Sequence, residues 1–169
     1  ILTEQIEKGR SELEYIDSVL DTVSRAESER ELAQIREELT EQGYLRKQKG
    51  KQRPQAALPP LEFTSSDGFK ILVGRNNTQN DKLTLKIANK NDMWLHTKDI
   101  HGSHTVVFAE GREISDTAIL EAAQLAAYYS KARESSQVPV DYTLVRYVSK
   151  PSGARPGMVI YVNNKTVYV

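Results

Sequence analysis

Cysteine is absent from the sequence, which excludes disulfide bonds, thiolate chemistry and zinc sites built from Cys-x-x-Cys pairs. Long apolar runs are absent too. None approaches the roughly 20 residues that a membrane-spanning helix needs, and no basic-then-apolar leader opens the chain, so the sequence predicts a soluble protein. With 169 residues, 38% of them hydrophobic, the chain can bury one ordinary core. A helical pattern already runs through Ile1–Ile6 without an initiator methionine, and we therefore expect a piece of a longer protein.

Net charge is zero over the whole chain, but the two parts of the chain differ strongly. Residues 1–45 hold 5 Lys or Arg against 12 Asp or Glu, and residues 46–169 hold 18 against 11. The first part is therefore near −7 and the second near +7. A segment as basic as residues 46–169 attracts polyanions such as RNA or an acidic protein surface. The alternative is that its basic side chains form only a solvated surface.

Residues 1–45 read as the end of a coiled-coil arm made of two helices. The first helix carries a narrow apolar stripe at spacings of three, four or seven: Leu2, Ile6, Leu13, Ile16, Leu20 and Val23. Such a stripe requires a partner helix, and we expect self-association if none covers it. Ser28 and Glu31 form a capping box that predicts the start of the second helix, and Gly43 predicts its end.

Residues 46–60 are predicted to be a basic linker, because five basic side chains fall within eight positions and three prolines follow. From residue 61 the period changes to two, with a hairpin turn at Asp67-Gly68. Strands are predicted at 61–64, 69–74, 83–88, 93–97, 104–109, 141–149, 157–162 and 166–169. One helix is predicted over 116–133, with an apolar face that includes Leu120. The fold class is therefore α+β: a mixed or antiparallel sheet with one packed helix over residues 61–169, preceded by the helical arm.

All three histidines, His96, His101 and His104, fall between Trp94 and His104. A metal site would need these rings and Asp99 to converge, and the neighbouring Lys98 opposes a cation. Ser103 lies beside a histidine, but no Gly-x-Ser-x-Gly elbow surrounds it. We therefore predict no metal, no cofactor and no enzymatic activity. His96 and Trp94 also fit a structural role in the core, and Gly102 fits a bend with positive φ.

A ligand loop is the remaining interpretation of this stretch. Gly102 and Ser103 would expose backbone amides, and Lys98, His101 and His104 would donate to a phosphate. A second basic segment ends a strand in a loop rich in proline and glycine, from which Lys150 and Arg155 are expected to project. Basic groups beside aromatic rings are typical of RNA-binding surfaces. The predicted RNA-binding residues are Lys98, His101, Ser103, His104, Arg146, Lys150 and Arg155, all on one face.

Several motifs in order make residues 61–169 resemble the RNA-binding domain of the NFACT family. They are Asp67-Gly68-Phe69, Ile71-x-Val73-Gly74-Arg75-Asn76-Asn77, Asn80-Asp81, Leu83-Thr84, Asp92-Met93-Trp94-Leu95-His96, Gly102-Ser103-His104 and Lys150-Pro151-x-Gly153-Ala154-x-Pro156-Gly157. A coiled-coil end upstream also fits the family. Ile100-His101 before Gly102 departs from its usual proline-glycine approach.

The resemblance implies a cytoplasmic role in ribosome quality control, with tRNA and the large ribosomal subunit as partners. The full-length protein would recognise a large subunit carrying a stuck peptidyl-tRNA and promote C-terminal tailing without a template. Streptococcal members are also described as fibronectin adhesins, found at the cell surface without a leader or anchor. Fibronectin binding is therefore the alternative function, and the motifs do not say which RNA is contacted.

Overall fold

The computed structural model describes residues 1–50 and 56–169, so Lys51 and Arg53 of the predicted linker lie outside the described residues. The helices are α1 (Leu2–Arg25), α2 (Glu29–Glu41), α3 (Asn77–Lys82) and α4 (Asp116–Tyr128). The strands are β1 (Leu61–Thr64), β2 (Lys70–Val73), β3 (Met93–Thr97), β4 (Thr105–Val107), β5 (Pro139–Leu144), β6 (Val148–Ser149), β7 (Ile160–Tyr161) and β8 (Lys165–Tyr168). Within the described ranges, no helix has the length and apolar character to cross a membrane.

Helix α2 begins and ends where its capping residues predict. The Ser28 hydroxyl accepts from the backbone N–H of Glu31 at 3.2 Å, and the Glu31 carboxylate accepts from the N–H of Glu27 at 3.1 Å. Gly43 ends α2 with a φ of +84°, a conformation that glycine adopts without strain. Leu13 and Leu20 of the apolar stripe are exposed, so self-association of the arm stays a prediction.

The arm packs on the body, residues 61–169, through a small core and a buried carboxylate. Tyr15, Val19 and Ile35 form that core, with Met158 of the body against it. Glu38 accepts from the Tyr15 hydroxyl at 2.7 Å, and its other oxygen accepts from the backbone N–H of Thr78 at 2.7 Å. Both oxygens of the Glu38 carboxylate therefore have partners, as burial requires.

Six strands form one antiparallel sheet in the order β1-β2-β4-β3-β5-β8, and β6 pairs with β7 separately. The hairpin of β1 and β2 turns at Gly68, whose φ is +92°. Ser65 fixes that turn, since its hydroxyl donates to Asp67 at 2.6 Å and accepts from the N–H of Phe69 at 2.8 Å. The predicted α+β class is confirmed.

One face of the sheet is covered by α4. Its buried positions are alanines, Ala118, Ala122, Ala123 and Ala126, whose short side chains let the helix lie close to the strands. Leu120 instead is 45% exposed, so its assignment to the core face is wrong. The helix ends at Tyr128 rather than near 133, because the backbone at Ser130 pairs with Gly102.

The other face carries a second core around Trp94. Against it lies a π-helical turn, Leu83–Ile87, where the sequence predicted a strand. Because α3 continues into this wider turn, both Leu83 and Thr84 are buried. In a strand, these two adjacent side chains would point to opposite faces of the sheet. The predicted strand 141–149 is likewise interrupted, by a single 3₁₀ turn at Val145–Tyr147.

Candidate nucleic-acid interface

Four aromatic side chains cluster on the sheet face opposite α4. The His96 ring stacks on Trp94, with centroids 5.7 Å apart and planes within 5°. His104 meets Trp94 edge-on at 5.3 Å, and Tyr161 lies 4.7 Å from the same indole. His96 and Trp94 share this face because they are two residues apart on β3.

Both histidines of this cluster are neutral. Burial lowers the pKa of His104 to about 3 and lowers the pKa of His96 below its ordinary value. The His104 Nε2 lies 3.2 Å from the Gly157 carbonyl, which can only accept, so Nε2 carries the proton. Its Nδ1 then accepts from the Thr84 hydroxyl at 2.8 Å. His104 therefore has a structural role, because its ring joins Thr84 to Gly157 by hydrogen bonds. In the described part of the chain, no three metal-binding side chains converge.

The Ser103 backbone amide that was predicted to bind a phosphate is already used within the fold. Ser103 is buried, and its N–H donates to the Tyr129 carbonyl at 2.9 Å. Gly102 has no positive φ. A Cβ there would lie 2.8 Å from the Cβ of Ser130 and 2.9 Å from the Thr97 hydroxyl, so glycine is required by close packing. The assignment of Ser103 and His104 to an RNA surface is therefore corrected.

Lys150 and Arg155 do not project from their loop as predicted. The Lys150 ammonium donates to the Arg155 carbonyl at 2.7 Å and pairs with the Asp81 carboxylate at 2.9 Å. The Arg155 guanidinium reaches the arm, where it donates to Gln42 at 3.0 Å and pairs with Glu12 at 3.3 Å. These cations tie the loop and the arm to the body, so their groups are not free to hold phosphate.

Three of the predicted residues remain accessible. Lys98 is exposed, with its ammonium 3.9 Å from the Asp141 carboxylate, and His101 is half-buried. Arg146 is exposed and donates to the carbonyl of Lys90 and to the side chain of Asn91. The two predicted segments meet in space, but their cationic groups do not form one surface.

Four exposed cations of the body form a different set, which we call the basic ledge: Lys82, Lys86, Lys90 and Arg146. Lys82 and Lys86 lie on neighbouring turns of the helical segment 77–87, and Lys90 follows at the Arg146 contact. None of the four has a carboxylate within 4.0 Å among the described residues. The exposed ring of Tyr147 follows Arg146 in sequence. The three lysines recur at every fourth position of the sequence, and this spacing is the sequence feature that could indicate the ledge.

Where the two predicted segments meet, the body and the arm enclose a cavity of about 350 Å³. We call it the aromatic cavity; its walls include His96, Tyr161, Met158, Asp99 and, from α1, Glu14. Four of the motifs that carry the NFACT resemblance contribute lining residues: Asn77, Trp94, His96, Gly102, His104 and Gly157.

Comparison with known proteins gives consistent matches over the whole chain. Residues 60–163 match the family model described as the NFACT protein RNA binding domain, and residues 1–57 match that of the NFACT N-terminal and middle domains. The Rqc2 homolog RqcH of Bacillus subtilis (strain 168) is 48% identical over 172 residues, and RqcH of Streptococcus suis (strain 05ZYH33) is 44% identical over 169. These matches cover 100% and 99% of this chain but 30% of each relative.

A solved structure extends the likeness to three dimensions. It is the C-terminal part of the fibronectin/fibrinogen-binding protein from Streptococcus suis, which matches with a TM-score of 0.93 and 43% identity. The match covers 99% of this chain and 67% of that one.

Proposed function

We propose that this chain, which belongs to the NFACT family, is the RNA-binding module of a ribosome quality control factor that acts in the cytoplasm. The observation that carries the proposal is the match of residues 60–163 to the NFACT protein RNA binding domain. The RqcH relatives support the ribosomal context. The bound RNA would be tRNA, large-subunit rRNA or both, as part of the rescue of stalled large subunits and C-terminal tailing by the whole protein.

The proposed role is binding without catalysis or cofactor. Its physical support is the basic ledge, where four cations face solvent without carboxylate partners. Cations of this kind attract RNA by neutralising phosphates and releasing counterions. Lys98 and His101 remain accessible on the body and are proposed as further RNA contacts, separate from the ledge.

The first test is a binding assay with tRNA and with purified large subunits, using the ledge variant Lys82→Ala/Lys86→Ala/Lys90→Ala. Loss of three phosphate contacts should weaken binding at least about tenfold at roughly 0.1 M salt. The matched control, Lys8→Ala/Lys131→Ala/Lys165→Ala, removes the same charge from three scattered exposed positions. Equal weakening by both variants would indicate net charge alone and contradict a defined RNA surface.

Fibronectin binding is the second candidate function, because the matched solved structure is named for fibronectin and fibrinogen binding. It would place the protein at the cell surface. The same two variants should be assayed against immobilised fibronectin over a salt series. A polyelectrolyte contact loses affinity steeply with salt, whereas an apolar protein contact does not. Salt-resistant fibronectin binding together with undetectable tRNA and ribosome binding would replace the ribosomal proposal.

A further inference from the structure

The aromatic cavity has an electrostatic character opposite to that of the basic ledge. Among the described residues, no Lys or Arg lines it. The nearby cations are held elsewhere, Lys150 by Asp81 and Arg155 by Glu12. Two exposed carboxylates, Glu14 and Asp99, stand at its rim, and neither takes part in a salt bridge of the described chain. The cavity therefore disfavours phosphate and favours a neutral group that carries N–H donors.

One wall of the cavity is flat and aromatic. The His96 ring, stacked on Trp94, stands beside Tyr161, and Met158 adds a polarizable thioether. His96 is neutral because burial disfavours its charged form. A planar heteroaromatic ring packs well on such a wall through offset stacking. The volume of about 350 Å³ lies at the small end of the range for ligand sites, roughly 300–1,000 Å³.

Hydrogen bonds fix the wall before any ligand arrives. The His96 Nε2 lies 3.2 Å from the Gly102 carbonyl, and the Tyr161 hydroxyl donates to the buried Asp141 carboxylate at 2.5 Å. Gly157 lies so close to the Asn77 side chain that a Cβ would be 2.5 Å from its amide oxygen. The rings therefore do not need to reorganise on binding, which lowers the entropic cost of holding a weak ligand.

We propose that the aromatic cavity receives one unstacked RNA base that carries an exocyclic amino group. This inference rests on the proposed RNA-binding function. The cavity would read a base, since RNA is read by splaying bases onto aromatic side chains. Carboxylate oxygens accept hydrogen bonds, so Glu14 and Asp99 would take the amino group of cytosine, adenine or guanine. Uracil turns a carbonyl oxygen toward the same carboxylates and is disfavoured.

Cytidine and uridine provide a pair of probes of the same size: cytidine has an amino donor at C4 and an acceptor at N3, whereas uridine has a carbonyl at C4 and an N–H at N3. Trp94 is the only tryptophan of the chain and lines the cavity, so its indole N–H gives one signal in a ¹H–¹⁵N NMR spectrum. Titration with each nucleoside should move that signal, with cytidine bound about tenfold more tightly. Oligo(C) and oligo(U) should show the same order of affinity.

In the double variant Glu14→Gln/Asp99→Asn, the ratio of the affinity for cytidine to that for uridine should fall close to one. Both positions are exposed, and asparagine tolerates the positive φ of +53° at residue 99, so the fold should persist. The control Glu113→Gln removes an exposed carboxylate away from the cavity and should retain the preference.

Three results would overturn the inference. One is equal binding of cytidine and uridine by the parent protein. Another is a preference that survives in the double variant. The third is that no nucleoside binds while oligo(C) and oligo(U) bind equally well. That result would leave the proposed RNA-binding function intact. If neither oligonucleotides nor tRNA bind, the proposed function itself fails, and the two failures are thereby distinguished.

Discussion

Two groups of basic side chains in the body differ in what surrounds them. The inward group consists of His104, Lys150 and Arg155; burial keeps the first neutral, and carboxylates or carbonyls hold the other two. The basic ledge faces solvent and has no carboxylate partner in the described chain. Basic composition alone therefore does not mark an RNA surface. The available partners decide whether a cation stabilises the fold or remains free for phosphate.

Helix α4 also has inward and outward positions, and a substitution on its inward face should have the largest effect on stability. Ala122→Asp should unfold the body, because an unpaired carboxylate against the sheet costs several kcal/mol, on the scale of a domain's whole stability. Leu120→Asp, two residues away and 45% exposed, should change stability by less than about 0.5 kcal/mol. Thermal melts of the two variants check this pair. Equal destabilisation would mean that α4 is rotated relative to the sheet.

His104 makes the inward group sensitive to acid. Its pKa is about 3 in the folded protein and about 6.5 in the unfolded chain. Between these values the unfolded chain binds a proton that the folded chain does not, so stability falls as the pH falls. The expected loss is about 2 kcal/mol between pH 7 and pH 5. Urea unfolding at both pH values should show a smaller loss in His104→Gln. An identical loss in parent and variant would exclude His104 as the source.

Lys150→Ala/Arg155→Ala should destabilise by about 1–2 kcal/mol, which is a fall of roughly 2–8 °C in melting temperature. The expected value is modest because both pairs are partly exposed and therefore screened. The ledge variant Lys82→Ala/Lys86→Ala/Lys90→Ala should leave the melting temperature unchanged within about 1 °C, since these lysines have no partner to lose. A larger fall in the ledge variant than in the Lys150/Arg155 variant would reverse the comparison.

Features set by neighbouring residues could be predicted from the sequence. The Ser28 capping box, the stop at Gly43 and the Asp67-Gly68 turn each depend on a few adjacent positions. The side of α4 that faces the sheet could not, because leucine and alanine are both apolar and the close helix–sheet approach selects alanine. The π-helical turn at Leu83–Ile87 was missed for a similar reason, since only the tertiary core buries both Leu83 and Thr84.

The candidate site was harder to predict than the fold. The motifs that carry the NFACT resemblance led to the correct loops, and those loops meet at the aromatic cavity. The role of each cation was not predictable, because it depends on distant residues. Arg155 contacts Glu12, which is 143 residues away in the chain, and the charge pattern around Arg155 gives no sign of that contact. Lys86 lies within the predicted strand 83–88 and Lys82 and Lys90 flank it, so the strand prediction gave no sign that the three lysines belong together.

The most direct test of the account is the salt dependence of tRNA affinity for the parent, the ledge variant and the Lys150/Arg155 variant, measured side by side. Each phosphate contact contributes roughly 0.7–0.9 to the slope of log affinity against log salt concentration. The ledge variant should lose about two to three units of slope. The Lys150/Arg155 variant, measured well below its melting temperature, should keep the parent's slope. Loss of slope in the Lys150/Arg155 variant and none in the ledge variant would contradict the account.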